Sequence, residues 1–480
     1  MAQKVGGFLE KFCLFCALLF SCLMLLQTAL VGSSGGLYCL MMLLGLLAMG
    51  AVLFLLYRFL RPMHAFPALL FMLRLAIALL VILLIGAQPV QDFKTMYTAA
   101  EQMAQGSREY LKDVYFYNWA YQTGFVAYEA LVLRVFGQGT LPLQLMNALW
   151  MSGTGVLVYL IGKRFLPERA AMAASLFYAL YPAPYFLAAV LTNQHIAVFF
   201  YYLAVWLLVR KERLSFPAAA LAGLCIAVGN VMRPLGVVVI LALLCWAVVR
   251  LLQNGKPLLG EGAAVGLTIV LYFAATWVFS RVTVLSGLNP AGLSNNLPLW
   301  KFLIGLNPAS GGAWNQADYD YYYFLPAAQQ ETEMKAAILQ RVSSGPLPLL
   351  KMLWQKTRTL WGSAEDMYWG FGHLDQNARL LGVPLAKLLQ ALKYADRGVF
   401  LLASALSLPA LWNGFRQRGE RKVTLLLSFL LCGYFAVHLI IEVQSRYRYF
   451  LMPCIFLFAG AGLEDILQRL VPERLDLKHG

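Results

Sequence analysis

Charge is scarce in this 480-residue chain: Asp, Glu, Lys and Arg make up 13% of it, about half of the ~25% usual in soluble domains. With 60% hydrophobic residues and a mean hydropathy of +0.66, a soluble globular domain is excluded. The composition is that of an integral membrane protein.

Other absences narrow the class further. All eight cysteines (Cys13, Cys16, Cys22, Cys39, Cys225, Cys245, Cys432, Cys454) lie in or at the edge of apolar runs, where a thiol behaves as a small hydrophobe. No outer disulfide framework is expected, and the lone Cys13-x-x-Cys16 pair makes a poor metal site. H-E-x-x-H, a P-loop and a complete G-x-G-x-x-G are all missing, which argues against a zinc protease, an ATP-driven pump and a soluble nucleotide-sugar enzyme. No repeat of 20 to 50 residues appears. Nor do two matching halves, the mark of many transporters.

What the chain does have is long apolar runs. Candidate spans cover 12–31, 37–60, 67–87, 141–162, 170–188, 195–209, 216–231, 235–252, 260–280, 396–412, 423–441 and 449–466, most near the ~20 residues that cross a bilayer core. The first follows Lys4 and Lys11 but is too long for a signal-peptide core. It reads as one arm of a hairpin turning at Gly32 to Gly36. The basic clusters Arg58 and Arg61, Lys163 to Arg169, Arg210 to Arg213, Arg250 and Lys256, and Arg416, Arg418, Arg421 and Lys422 fall on one side of an alternating threading. That side is expected to be the cytoplasm. The net charge of +15 then reflects topology and anionic lipid rather than nucleic acid.

The expected organisation is an additional N-terminal transmembrane hairpin (1–66) and a transmembrane core (67–280) with a first outer loop at 88–139. An outer region of loop and surface helices (281–395) and C-terminal transmembrane helices with a short cytoplasmic tail (396–480) follow. FKTMYTAAEQMAQG and YFYNWAYQTGFVAYEALVLRVFG in the first outer stretch, and PAAQQETEMKAAILQRV and PLPLLKMLWQKTRTLWG in the second, suit helices lying on the membrane surface. They are expected to roof a cavity over the outer span ends. Directly after the run Pro67 to Gly86 stands Asp92, followed by Lys94. An ionisable group at the mouth of a membrane bundle is costly to hold and marks chemistry or transport.

An acid just after an early span, surface helices in the first outer loop, YQTGFVAYEALVLRVFG, YPAPYFLAAVLTNQH, the VMRPLG turn and EVQSRYRY before the last span occur in one order along residues 67–466. In this the chain resembles the GT-C membrane glycosyltransferases, and is most similar to the branch of protein O-mannosyltransferases and lipid A aminoarabinose transferases. The resemblance implies an all-α polytopic bundle of about 12 transmembrane helices with amphipathic surface helices outside. It also implies an enzyme of the cytoplasmic membrane that moves a hexose or pentose, with inversion, from a polyprenyl-phosphate donor to an acceptor on the outer face. Protein hydroxyl, cell-wall polymer and lipid are all open as acceptor. A lipid-linked saccharide flippase, or an oligosaccharide polymerase or ligase, is the competing class.

Such a reaction needs no general acid, because the leaving phosphate is already an anion. One carboxylate suffices as base, and Asp92 is the candidate. Arg446 and Arg448, with Lys94 and Arg233, are the candidates for holding the donor phosphate. Tyr97, Asn193, His195, Asp318 and Tyr447 are candidates for contacting sugar or acceptor, and the aromatic run Tyr319 to Phe324 suits stacking. Structural alternatives stand beside these. Asp92 suits a helix cap, the two arginines suit interfacial anchors, Arg233 suits an interface brace, and His195 suits a hydrogen-bonded surface residue. Where many GT-C enzymes carry a second acid, this chain reads Thr192, Asn193, Gln194, His195. That leaves too few hard oxygens for a divalent metal, so no metal and no cofactor are expected.

Overall fold

The computed structural model describes residues 1–32, 36–254, 259–364, 367–375, 377–416 and 422–470; Lys256, Arg418, Arg421 and the expected turn at 33–35 lie outside them. Long apolar runs become helices because, without water, only a helix satisfies its own backbone. The membrane-embedded N-terminal half comprises α1 (Ala2–Gly32), α2 (Gly36–Phe59) and α3 (Phe66–Ile85). The first outer stretch forms α4 (Gln91–Ala104), α5 (Val114–Asn118) and α6 (Thr123–Phe136). Then come α7 (Thr140–Gly162), α8 (Glu168–Ala179), α9 (Ala183–Ala188), α10 (Gln194–Val209), α11 (Phe216–Met232), α12 (Gly236–Asn254) and α13 (Leu259–Leu285). The second outer stretch carries α14 (Trp300–Gly305), α15 (Gln316–Tyr322), α16 (Ala327–Val342) and α17 (Pro346–Thr357). The chain closes with α18 (Leu385–Arg416), α19 (Lys422–Ile440) and α20 (Met452–Leu470). Among the described residues the strand content is one two-residue hairpin ladder, Arg379–Leu380 with Val383–Pro384.

The protein is therefore an all-α polytopic membrane protein. Among the described residues eight helices are long and apolar enough to cross a membrane, and Leu44–Phe59, Gln194–Val209 and Phe216–Met232 are shorter apolar helices. The expected span 170–188 is broken into α8 and α9. Pro182 and Pro184 lack the N–H groups a continuous helix would need. Arg74, buried on α3, donates from Nη1 to Tyr178 O at the end of α8 (3.1 Å) and lies over the Tyr178 ring. Its charge faces the negative end of the interrupted helix.

The N-terminal helix is a working part of the bundle. Helix α1 packs on α18, α12 and α19 far more than on α2, so its first two spans do not pack as a hairpin. At its C-terminal end Gln27 Nε2 donates to Thr357 Oγ1 (3.0 Å) and Thr28 Oγ1 to Trp361 O (3.1 Å), tying α1 to the segment at the end of α17. Helix α20 lies at the centre. Its AGAG run admits α18 so closely that a Cβ built at Gly462 would stand 1.7 Å from Leu406 O, the small-residue contact that lets membrane helices approach.

Ahead of α20 the chain winds as a 3₁₀ helix, Ser445–Leu451. Within it Arg448 is fully buried, pairs with Asp396 of α18, donates to Ser363 O (2.6 Å) and lies over Phe400. This pair joins the last span, α18 and the roof. Removing one partner of a buried pair strands the other charge, so Asp396→Ala or Arg448→Leu should each destabilise by about 3 kcal/mol or more. The double variant Asp396→Ala/Arg448→Leu should lose clearly less than the sum of the two, as read by thermal unfolding in detergent; additive losses would contradict the coupling.

Candidate functional site

Asp92 is placed by the sharp entry into α4. Val90 is extended, no side chain caps the helix, and Gln91 has φ 49°, a left-handed conformation costly for a residue with a Cβ. Asp92 follows in the first turn, exposed and facing a cavity of about 370 Å³. The helix N-terminus is a favourable place for its negative charge. Lining the same cavity are Tyr121 and Gln122 from the outer loop, Asn193, Arg233, Lys301, Glu442, Arg446 and Tyr447.

Arg446 forms the cationic wall. Its guanidinium lies 5.0 Å from the Phe93 ring, 5.2 Å from Trp369 and 5.9 Å from Tyr447. These aromatic faces favour the cation without neutralising it. Nε and Nη1 are buried and have no hydrogen-bond partner among the described residues. Unpaired buried donors cost about 1–3 kcal/mol each, so the guanidinium stands in the cavity wall with its charge uncompensated by any hydrogen-bonded acid among the described residues. Gln194 Nε2 donates to Arg446 O (2.7 Å) and holds its backbone. Arg233 donates from Nη1 to Asn193 Oδ1 (3.1 Å) and lies over the Tyr447 ring at 4.9 Å, while Asn193 Nδ2 donates to Met232 O (2.9 Å). In the segment 192–195, then, Asn193 and Gln194 brace two arginines.

A second charged group shares the cavity. Lys301 of α14 forms a short ion pair with Glu442, whose other oxygen accepts from Gln444 Nε2 (2.7 Å). Burial opposes charge on both, yet their attraction holds the Glu442 carboxyl below, and the Lys301 ammonium above, its ordinary value. The backbones are fastened too: Glu442 N donates to Lys301 O (2.9 Å) and Val443 N to Gly312 O (3.0 Å). Gly305 permits this contact, since a Cβ there would stand 2.3 Å from Ile441 C. Buried Lys356 of α17 donates to Gly305 O and Ile441 O and closes the junction.

The structure thus brings together Asp92, Arg446, Arg233, Asn193 and Tyr447. Five expected site residues lie elsewhere. Arg448 points into the bundle toward Asp396. Lys94 is exposed and outside the cavity lining. Tyr97 lies on α4 beside Glu101; burial and that carboxylate push its phenol up to about 12. His195, expected at the surface, is fully buried and hydrogen-bonded to the Tyr449 hydroxyl (2.7 Å). Asp318 is buried, paired with Arg341 (2.5 Å) and bonded to Asn307 Nδ2 (2.7 Å). Sequence reasoning gave no role to Lys301, Glu442 or Lys356. A lone cation in the apolar stretch LPLWKFLIG was the available signal for the first.

A second cavity, about 510 Å³, lies at the opposite ends of the helices, lined by Arg164, Lys211, Lys422, Glu464 and Asp465 among others. Helices α10 and α19 each run from one cavity to the other.

Residues 125–279, from α6 through most of α13, match the family model described as dolichyl-phosphate-mannose-protein mannosyltransferase. This stretch includes Asn193 and Arg233; Asp92, Lys301 and Arg446 lie outside it. No curated protein matches the chain. Two solved structures from Archaeoglobus fulgidus are similar. The apo crystal structure of the oligosaccharyltransferase has a TM-score of 0.42 and 13% identity, covering 83% of this chain and 51% of that one. The oligosaccharyltransferase AglB in complex with an inhibitory peptide and a dolichol-phosphate has a TM-score of 0.45 and 13% identity, covering 84% and 51%. The chain spans about half the length of these proteins, and at such scores no chemistry carries over from them.

Burial pushes the Lys356 ammonium down to about 7, while Glu442 pulls it up. In the unfolded chain a lysine titrates near 10.4, so between about pH 7 and 10 the unfolded state binds the extra proton and stability rises with pH. The melting temperature of the wild type should therefore climb relative to Lys356→Met across that window. Parallel curves for the two proteins would contradict it.

Proposed function

We propose that this chain is a GT-C-type membrane glycosyltransferase, a reading supported by the match over residues 125–279, and that it moves a sugar from a polyprenyl-phosphate donor to a hydroxyl acceptor at the Asp92 cavity. The observation that carries this reading is that Asp92 and Arg446, from opposite ends of the sequence, line one cavity at a helix-end surface. A flippase has no need for a carboxylate base facing an unpaired cation.

The proposed step is a single displacement. The acceptor oxygen attacks the anomeric carbon and its proton passes to the Asp92 carboxylate. The bond from that carbon to the phosphate oxygen breaks, and its electron pair leaves with the phosphate, inverting the configuration. Charge grows on the departing phosphate, where the positive charge of the Arg446 and Arg233 guanidinium groups lining the cavity would meet it. Tyr447, between the two arginines, is suited to contact the sugar. Arg448 is a positioning residue in this scheme, holding the Ser445–Leu451 segment through Asp396. Lys94 keeps no role.

No divalent ion is required in this scheme. Among the described residues no three of His, Cys, Asp and Glu gather to hold a metal. The outer acids nearest in sequence logic are committed elsewhere: Asp113 caps Tyr115 N (2.9 Å) and Asp318 is paired with Arg341. The family description, dolichyl-phosphate-mannose-protein mannosyltransferase, supports a lipid-phosphate donor; hexose or pentose is left to experiment.

The face of the membrane follows from charge. Lys163, Arg164, Arg210, Lys211, Arg213 and Lys422 stand at the helix ends away from Asp92, and basic loops stay cytoplasmic. The cavity then opens on the outer face of the cell membrane, with both termini inside. Reporter fusions within 163–169 and 211–213 should report cytoplasm, and fusions within 105–113 and after Ser344 the outside; the reverse pattern overturns the assignment.

Asp92→Asn should keep the fold and lower transfer by on the order of 100-fold or more, the usual effect of losing a general base. Arg446→Ala should lower both donor affinity and turnover, because phosphate is bound before reaction and gains charge during it. Both are measured as sugar transfer from a purified polyprenyl-phosphate donor with EDTA present. Wild-type turnover in folded Asp92→Asn, or no turnover of the wild type until a divalent ion is added, would overturn the mechanism.

A further inference from the structure

The second outer stretch carries, around α15, an aromatic row that the chemistry above does not use. Trp314, just before α15, lies 5.2 Å from Tyr319, which stacks on Tyr323 (4.7 Å, 22°) and meets Phe324 edge-on at 5.4 Å. Tyr323 in turn stacks on Trp119 (5.6 Å, 26°), which leads directly into the cavity-lining residues Tyr121 and Gln122. Buried Trp300 backs the row, 6.2 Å from Trp314 and 5.9 Å from Tyr323. The outer edge remains open: Trp314 is 46% and Phe324 66% exposed, with Tyr319 half-buried between them.

Burial of an aromatic core would explain Trp300 and Tyr323, and a membrane-interface belt would explain exposed rings. Charge separates these from a third explanation. Burial, and after it the charges of Asp113, Asp320 and Asp92, push the Tyr319 phenol up, and the Asp320 carboxylate stands on α15 beside the row. Along it, Trp314 Nε1 donates to Gln316 Oε1 (3.4 Å) and Gln316 Nε2 to Asp320 Oδ1 (2.8 Å). An anionic leaflet is repelled by such a surface. A neutral polyhydroxylated chain is not: its pyranose C–H faces lie against the negative π faces of the rings, and its hydroxyls donate to the carboxylates and amide beside them.

We propose that the Trp314–Tyr319–Phe324 edge is the acceptor platform, and that the acceptor is a neutral carbohydrate chain laid along it with a hydroxyl delivered to Asp92. This assignment rests on the glycosyltransferase reading and names its acceptor class. Tyr319 and Trp314 contact the chain; Trp119 and Tyr323 carry the row inward to the cavity.

The test uses the full-length protein in nanodiscs of zwitterionic lipid, titrated calorimetrically with maltohexaose, mannohexaose and chitohexaose. Binding to phosphatidylglycerol vesicles and to an unglycosylated Ser/Thr-rich peptide is measured in parallel. At least one hexaose should bind, and Trp314→Ala and Tyr319→Ala should each weaken it about tenfold, the size of losing one well-placed contact. Tyr319→Phe, which keeps the ring, should bind like the wild type, and melting temperatures confirm that the variants are folded. Phe324→Ala serves as the second ring variant should either alanine protein prove unstable. Failure of all three hexaoses to bind, wild-type affinity in the alanine variants, or loss of vesicle or peptide binding instead would overturn the platform. The catalytic reading fails separately: turnover retained in Asp92→Asn removes the base while hexaose binding still depends on Trp314.

Discussion

Charge buried at the edge of a membrane bundle has to be met by something, and in this protein that constraint organises the segment from Ile441 to Leu451. Within eleven residues it carries Glu442 against Lys301, Arg446 against three aromatic faces, and Arg448 against Asp396. Each contact ties the segment to a different body: α14 of the roof, α4 through Phe93, and α18 of the bundle. Two of the three cations are satisfied by carboxylates. Arg446 is held by rings, which leaves its charge in the wall of the cavity and two of its donors without a partner among the described residues.

The roof exists to hold this arrangement. Lys356 donates to Gly305 O and Ile441 O, Gln27 and Thr28 of α1 reach Thr357 and Trp361, and Arg448 reaches Ser363. A helix that looked like an accessory at the N-terminus therefore helps to set the position of the cationic wall. The four residues Thr192 to His195 have a comparable supporting role, since Asn193 holds Arg233, Gln194 holds Arg446, and His195 holds Tyr449 next to Arg448. A segment read as a missing metal ligand set proves to be a brace.

Some misplacements have a single geometric cause. Arg446 and Arg448 are two residues apart, a spacing that puts side chains on one face only if the backbone is extended. The segment is a 3₁₀ helix with about three residues per turn, so residues two apart point about 240° from each other. One arginine reaches the cavity and the other enters the core. Asp318 and Tyr97 meet other partners: Asp318 pairs with Arg341, 23 residues along the chain, and Tyr97 stands one helical turn from Glu101 on α4.

Composition and hydropathy by themselves determined that the chain is a helical membrane protein and that Asp92 stands just beyond the end of an apolar helix, though not that the run 170–188 is two helices. These follow from local rules: a backbone in lipid must bond to itself, and a surface helix must show two faces. Only the tertiary structure decided which charges share a cavity. Lys301 and Glu442 are 141 residues apart and Asp92 and Arg446 farther still, and whether such residues meet depends on how α4, α14, α19 and α20 pack. Packing also set which cation is neutralised and which is left with free donors, because that depends on the partners brought to it across the fold rather than on its neighbours in the chain.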